Sequence, residues 1–472
     1  MIRRPLVLAL VIALAPAAAS AEDLLQVYAL ARDSDPQLAA SQSGRLATRE
    51  GEVQARAALL PQINGSASLD KSRSEGPSSQ TQFDPTTGEP VRFSGDTQSN
   101  TTTRSLGVDV QQMVFDRSRF TILKSQQALS RASDFNLEAA DDSLITRTSA
   151  AYFNTLVAIE TLTAAEASEA ALKKQFDAAS KRLEVGLAPI TDVHEARAQY
   201  DSARANTIVA RNAVLDSYQA LAEITGKPVG ALKALPEDFQ PTLPEHGGVE
   251  SFVARAIENN PSLHAAEEQL ASANENIETA RSGHWPTLYL NGSYGDRKTT
   301  GDSTFSSGSL SSTNPIDSQS RGPSVGVTLN VPIFSGGAVS SRVRQSIANR
   351  DVVADQVEQQ RRALVRNTNA AYQALAAGIT EVESRRAALI SARAAFEASQ
   401  VGLEVGTRTV LDVLNNQQNV FVAQRLYSQA RYTFLQARLL LAQSVGTLGI
   451  DDLQEVNRLL TVSAPPPIPV TP

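Results

Sequence analysis

Leu183-Glu184-Val185-Gly186-Leu187-Ala188-Pro189-Ile190-Thr191-Asp192-Val193 is answered in the second half of the chain by Leu403-Glu404-Val405-Gly406-Thr407-Arg408-Thr409-Val410-Leu411-Asp412-Val413. In each stretch a glycine follows a long proline-free segment and an aspartate opens the next one. Glycine takes left-handed backbone at low cost and so ends helices, while an acid suits the exposed N–H groups of a helix start. Each stretch therefore reads as the tip of a helical hairpin.

Working outward, the same register runs without a gap to Gly226 and Gly446, and Ala150-Ala151-Tyr152 recurs in it as Ala370-Ala371-Tyr372. Val114-Phe115 recurs as Ile333-Phe334, one position short of that register. Asp35-Pro36-Gln37-Leu38 and Leu60-Pro61 recur as Asn260-Pro261-Ser262-Leu263 and Trp285-Pro286, both pairs at one common, slightly larger offset. Gly, Pro and Asp coinciding at nearly constant offsets mark an internal duplication, with units at about 22–246 and 247–461. Each unit reads as a helix, a strand pair (about 61–113 and 286–333) and two long helices (118–226 and 338–446).

No proline interrupts Ser118–Val185 or Ala338–Val405, which allows rods of roughly 100 Å. Leu375, Val382, Leu389, Phe396 and Leu403 fall every seven residues, as do Ile145, Tyr152 and Ile159. That spacing predicts coiled-coil seams with wide polar faces. The pairs Asp141-Asp142, Arg361-Arg362 and Arg385-Arg386 on these helices are expected to lie on solvated faces.

Leu106, Val108 and Val110, and likewise Val325, Val327, Leu329, Val331 and Ile333, alternate with small or polar residues as in half-buried strands. The partner strands, around Ile63–Leu69 and Leu288–Tyr294, alternate more weakly. Between the members of each pair, Ser72–Thr101 and Arg297–Arg321 are rich in Ser, Thr, Gly and Asp and are expected to be loops. Four strands cannot close a barrel, and in lipid every strand edge must be paired, so lipid-facing strands require several chains to pool them. Trp285, Phe115 and Phe334 lie at the strand ends nearest the helices, where an interfacial aromatic girdle belongs.

Arg3 and Arg4, the apolar stretch from Pro5 to Ala15 and Ala19-Ser20-Ala21 form a signal-peptide pattern over 1–21. A retained anchor is the other reading, but the apolar stretch is shorter than the ~20 residues a spanning helix needs. The 472 residues carry a net charge of -7, contain no cysteine, and hold four scattered histidines, His194, His246, His264 and His284. Such a chain offers no electrostatic case for nucleic acid, no thiol chemistry, no catalytic constellation and no metal-ligand spacing. Residues 462–472, rich in proline, are expected to be a disordered tail.

The two tips, with the junctions Val114-Phe115-Asp116 and Pro332-Ile333-Phe334-Ser335-Gly336-Gly337, resemble the TolC family of outer-membrane efflux ducts over nearly all of the mature chain. The resemblance implies a mixed, mainly α fold: a homotrimer with a twelve-strand β-barrel in outer-membrane lipid, four strands per chain, continued by a long periplasmic α-helical coiled-coil barrel. An equatorial belt would draw on Gly226–Gln240 and the segment after Gly446. It further implies docking on a periplasmic adaptor (membrane fusion) protein and an inner-membrane ABC or RND-type transporter, with no enzyme activity and no cofactor. A missing acylated cysteine points to the non-lipidated branch, which serves type I protein secretion as well as drug export.

By the same resemblance Asp412 matches the acid that rings the pore constriction, and the second acidic position falls at Asn415. Arg408 matches a basic latch at the entrance, with Asp192 and Thr191 as its partners and Gly186 and Gly406 at the helix turns. Leu403 stands where the network's tyrosine belongs. Outside any family context, an aspartate and an arginine beside a helix turn read as capping and solvation. The repeat equivalent of Arg408 is Ala188, so only one hairpin carries the latch. A competing reading is a periplasmic coiled-coil adaptor or scaffold without its own pore; lipid-facing alternation and two tandem hairpins count against it.

Overall fold

A computed structural model describes residues 21–187, 189–242 and 247–465. The signal-peptide expectation over residues 1–20, and those on Ala188, His246 and 466–472, lie outside the described residues. The chain divides into two compact units, one of residues 1–47, 131–268 and 355–472, the other of 48–130 and 269–354.

In order, the first repeat runs α1 (Leu24–Ser34), α2 (Pro36–Ala57), β1 (Gln62–Phe83), β2 (Pro90–Phe115), α3 (Arg117–Glu184), α4 (Ile190–Thr225) and β3 (Lys233–Ala234). The second runs α5 (Val249–Asn259), α6 (Pro261–Arg281), β4 (Thr287–Ser307), β5 (Leu310–Asn330), α7 (Ala338–Glu404), α8 (Val410–Val445), α9 (Ile450–Leu459) and β6 (Val462–Ser463). Helices α3 and α7, of 68 and 67 residues, end just before the glycine turns. Gly186, Gly226, Gly406 and Gly446 all take positive φ, the conformation that made them legible as stops.

The first unit is built on the heptad seams. Ile145, Tyr152, Ile159, Leu375, Val382 and Leu389 are all buried in one apolar cluster with Leu221, Leu435 and Leu439. Amphipathic α1 and α9 cover it with Leu24, Val27, Leu453 and Val456. The segment after Gly226 crosses the same core, where the Tyr152 hydroxyl donates to Lys233 O at 2.7 Å and Lys233 N donates to that hydroxyl at 2.9 Å. β6 pairs with β3 through Val462↔Ala234 and Ser463↔Lys233. The expected disorder is thus corrected at the start of the tail: two backbone ladder partners and the burial of Ala464 hold it.

The second unit carries an antiparallel sheet in the order β1-β2-β4-β5. The Ser/Thr-rich segments expected as loops are strand almost throughout. β1 pairs with β2 from Gln62↔Gln111 to Phe83↔Pro90, and β4 with β5 from Thr287↔Asn330 to Ser307↔Leu310. Each hairpin closes only at its end, around Gly88 and Gly308, both at positive φ. A ladder pairs the backbone polar groups that face a neighbouring strand whatever the side chains, and threonine is β-branched. Hydroxyls also meet across strands: Ser72–Thr101 at 2.8 Å, Thr103–Thr299 at 3.1 Å and Ser293–Ser324 at 2.7 Å.

One face of this sheet is apolar and uncovered. Ile63 and Leu69, Leu106 and Val108, Leu290 and Tyr294, and Val325, Val327 and Leu329 share it across the four strands, all exposed. Below it, α3 and α6 meet through small polar groups: Thr121 with Thr279 at 2.7 Å, Ser125 with Ser272 at 2.8 Å. At the junctions, Phe115 packs on Trp285 with ring centroids 6.4 Å apart, and the Arg117 guanidinium lies 4.9 Å from the Trp285 ring centre. Phe334, the repeat equivalent of Phe115, is 89% exposed and Ile333 is 95% exposed.

Candidate functional site

The two hairpin tips of the first unit hold every residue singled out for the pore. In the first, Leu187 N donates to Arg182 O at 2.8 Å and Gly186 N to Leu183 O at 2.9 Å, a turn that uses up the last free carbonyls of α3. In the second, Thr407 N donates to Gly402 O at 2.8 Å and Gly406 N to Leu403 O at 3.2 Å. The backbone turns are alike.

The helix starts are not alike. Thr409 caps α8: its hydroxyl accepts from Asp412 N at 3.2 Å, while Asp412 Oδ2 accepts from Thr409 N at 3.0 Å and Thr409 Oγ1 at 2.9 Å. This reciprocal box satisfies two orphan donors. These hydrogen bonds, assisted by the charge of Arg408, hold the Asp412 carboxyl below the usual range. At the equivalent place in the first tip stands Pro189, which offers α4 no side-chain cap. Asp192 is therefore free of the commitment that Asp412 carries. The capping role that the bare sequence suggested for both aspartates is found in one.

Arg408 is exposed, and its side chain folds back over Gly402: a Cβ there would lie 2.6 Å from Arg408 Cγ. Thr191 is exposed, Asp192 half-buried, and Asn415, one turn beyond Asp412, exposed. Among the described residues, Arg408 forms no ion pair with Asp192 inside one chain; the two halves of the expected latch are not brought together. Beneath the tips Leu172, Ala203 and Leu414 form a small buried cluster, and Phe176 stacks on Tyr200 at 6.2 Å with ring planes 5° apart. Two residues without an assigned role emerge here. Thr409 was legible as an N-cap three residues before an acid. Gly402 had no local signal, because its role depends on where Arg408 lies.

Among the described residues no group of three or more His, Asp or Glu side chains is arranged to hold a metal, and no helix is long and apolar enough to cross a membrane.

Comparison with known proteins concerns the chain as a whole. The family model described as outer membrane efflux protein matches residues 27–227 and again 252–447, once in each repeat. The chain is 34% identical over 442 residues to the outer membrane protein TolC of Escherichia coli (strain K12), covering 93% of this chain and 85% of that protein. It is 32% identical to the TolC of Vibrio cholerae, covering 94% and 95%. The alkaline protease secretion protein AprF of Pseudomonas aeruginosa is 27% identical, covering 92% and 86%. In fold it matches the Campylobacter jejuni CmeC outer membrane channel with a TM-score of 0.70 at 18% identity, over 93% of this chain and 90% of that one. The chain belongs to the outer membrane efflux protein family and is an outer-membrane exit duct for efflux or secretion, with no enzyme activity.

Proposed function

We propose that three copies of the mature chain, from about Glu22, pool their strands into a twelve-strand barrel and their long helices into a periplasmic conduit closed at the tips. The observation that carries this reading is the four-stranded sheet with an exposed apolar face, whose outer strands β1 and β5 each pair on one side only. In lipid such edges must be paired, and three copies of a four-stranded sheet supply an even-numbered closure of the kind outer-membrane barrels use. The hairpin ends at Gly88 and Gly308 then face outside the cell. The name of AprF, a protease secretion protein, supports an export duct, and as a passive conduit this duct works with a periplasmic adaptor and an inner-membrane transporter, which supplies the energy.

At the closed tip three Asp412 carboxylates ring the pore, with Asn415 one turn away. Mutual repulsion raises the proton affinity of the set against the downward pull of each capping box. Arg408 of one hairpin reaches Asp192 and Thr191 of a neighbour, and the uncapped start of α4 leaves Asp192 available for it. Planar-bilayer recordings test both assignments. Asp412→Ala removes much of the cation preference, read as a reversal potential under a salt gradient; an unchanged reversal potential places selectivity elsewhere. Arg408→Glu sets acid against acid at Asp192 and raises single-channel conductance, and adding Asp192→Arg partly restores closure. Equal conductance of Arg408→Glu and wild type removes the latch and leaves the duct standing.

A further inference from the structure

The duplication dictates which residues of β5 meet which residues of β1 when two copies join. This inference rests on the pooled barrel proposed above and supplies its register. Within one chain β2 of the first repeat lies beside β4 of the second, with Val110↔Gly292, Val108↔Tyr294 and Thr103↔Thr299 as direct partners. The repeat turns β2 into β5 by the offset that carries Phe115 onto Phe334, and β4 back into β1 by the offset that carries Pro286 onto Pro61. The two hairpins obey the same offsets: Gln62↔Gln111 becomes Thr287↔Asn330, and Ile63↔Val110 becomes Leu288↔Leu329. The offsets are thus structural, and they carry the β2·β4 seam onto the open seam between β5 and the next copy's β1.

The geometry points to an intermolecular β5·β1 ladder in which Leu329 lies opposite the partner's Ala67 and Val327 opposite the partner's Leu69. Two independent features agree. First, a strand pair keeps its faces only if register shifts by whole pairs of residues, and this register sets Val327 and Leu329 opposite the partner's Leu69 and the partner's Ala67, with Val325 on the same face opposite the partner's Lys71. Second, it sets Arg321 opposite the partner's Glu75, whereas a slip by one such pair in one direction sets Arg321 opposite the partner's Arg73, a repulsive pairing. The junctions follow: Phe115 meets Leu288 across a bulge in one chain, so Phe334, bare in a single chain, meets the partner's Ile63. Backbone ladder bonds are drawn for Ser324–Asn330 only, and Arg321 and Phe334 on either side of it are placed by continuity of the register; Pro315 and Pro323 lie farther along β5 and Pro77 farther along β1, and strand prolines belong at edges because they lack an N–H.

The chain has no cysteine, so engineered thiols report the seam without background. A Cβ built on Gly292 lies 4.0 Å from Val110 Cβ, inside the ~3.5–4.5 Å span that a disulfide needs. The Val110→Cys, Gly292→Cys protein is therefore the intrachain control, and Leu329→Cys, Ala67→Cys is its intermolecular equivalent. Full-length protein in outer membranes is oxidised with copper–phenanthroline and resolved without reductant. The in-register pair is expected to yield about tenfold more covalent oligomer than Leu329→Cys with Leu69→Cys or with Gly65→Cys, whose diagonal spacing exceeds disulfide reach. Oligomers joined mainly through a slipped pair overturn the register and leave the pooled barrel standing. Oligomers in which the control closes and no seam pair does overturn the β5·β1 ladder. A chain that is monomeric in the membrane overturns the barrel reading and this register with it.

Discussion

Arg211 and Arg431 hold the same position in the two repeats, and their surroundings differ as surface differs from core. Arg211 reaches Glu166 at 2.9 Å with half of each side chain in solvent. Arg431 reaches Glu160 at 2.8 Å with its own side chain only 5% exposed; it donates to Pro236 O at 2.8 Å and lies 4.9 Å from the Tyr427 ring centre. Tyr432 donates to the other oxygen of Glu160, and burial beside that carboxylate pushes the phenol's proton affinity up. Tyr152 and Tyr372 diverge in the same way, the first fully buried under the crossing segment, the second half-exposed against Phe252. Duplication supplies two equal rods. The segments after Gly226 and Gly446 then cover one part of them, so equivalent residues acquire unequal energies.

The largest expected break in that comparison comes from the acids. Glu160→Ala leaves a buried guanidinium without its partner and should destabilise the protein by about 3–5 kcal/mol. Glu166→Ala removes an exposed pair and should cost about 1 kcal/mol or less. Thermal unfolding followed by circular dichroism in detergent checks the pair of variants. Equal shifts would mean that burial is not what separates the two arginines.

A second contrast concerns Asp142 and its repeat equivalent Arg362, both expected on solvated faces. Arg362 is exposed and pairs with Glu358 one turn away. Asp142 is buried, which corrects the expectation: α9 brings Asp452 over it, and Glu138 and Asp141 flank it on α3. Burial first, and then these three acids, push its carboxyl up to about 7. A raised folded-state value means that the folded protein holds this proton more tightly than the unfolded chain does. The associated stability is full below about pH 4, declines as pH rises and is gone above about pH 7. Arg32 on α1 moderates Asp141, and Arg438 on α8, paired with Glu455, moderates Asp452. Asp142→Asn should therefore raise stability at pH 8 by about 1–3 kcal/mol and flatten the decline between pH 5 and 8. A decline of wild-type slope in the variant would assign it to another group.

The smallest effect is expected at the tips. Thr409→Ala removes the capping box and should cost about 1 kcal/mol, with faster amide exchange in the first turn of α8. Pro189→Ala, at a helix start with no side-chain cap to lose, should leave exchange in α4 nearly unchanged. Comparable fraying in both would show that the two starts are equivalent after all.

Long-range patterns were legible because they are periodic or punctuated. Heptads at Leu375, Val382 and Leu389, glycines at the four helix ends and the constant offsets between the repeats all state local requirements that neighbours along the chain can meet. The motifs at the tips likewise sufficed to recognise the family. What only the tertiary structure decided is which of two equivalent positions is covered. Nothing near Asp142 in the sequence announces α9, which lies at the far end of the other repeat, and nothing near Arg431 announces Glu160 from the first. The length of the strands was hidden for a related reason: Ser72–Thr101 lacks apolar alternation, and its extended form rests on ladder pairing to distant partners such as Asp302 and Ser303. Asp412 and Asp192 look alike as residues and differ once Thr409 and Pro189 are placed beside them. Periodicity fixes the shape of an element from within; burial, charge pairing and strand register depend on what packs against it, and that is a property of the folded chain.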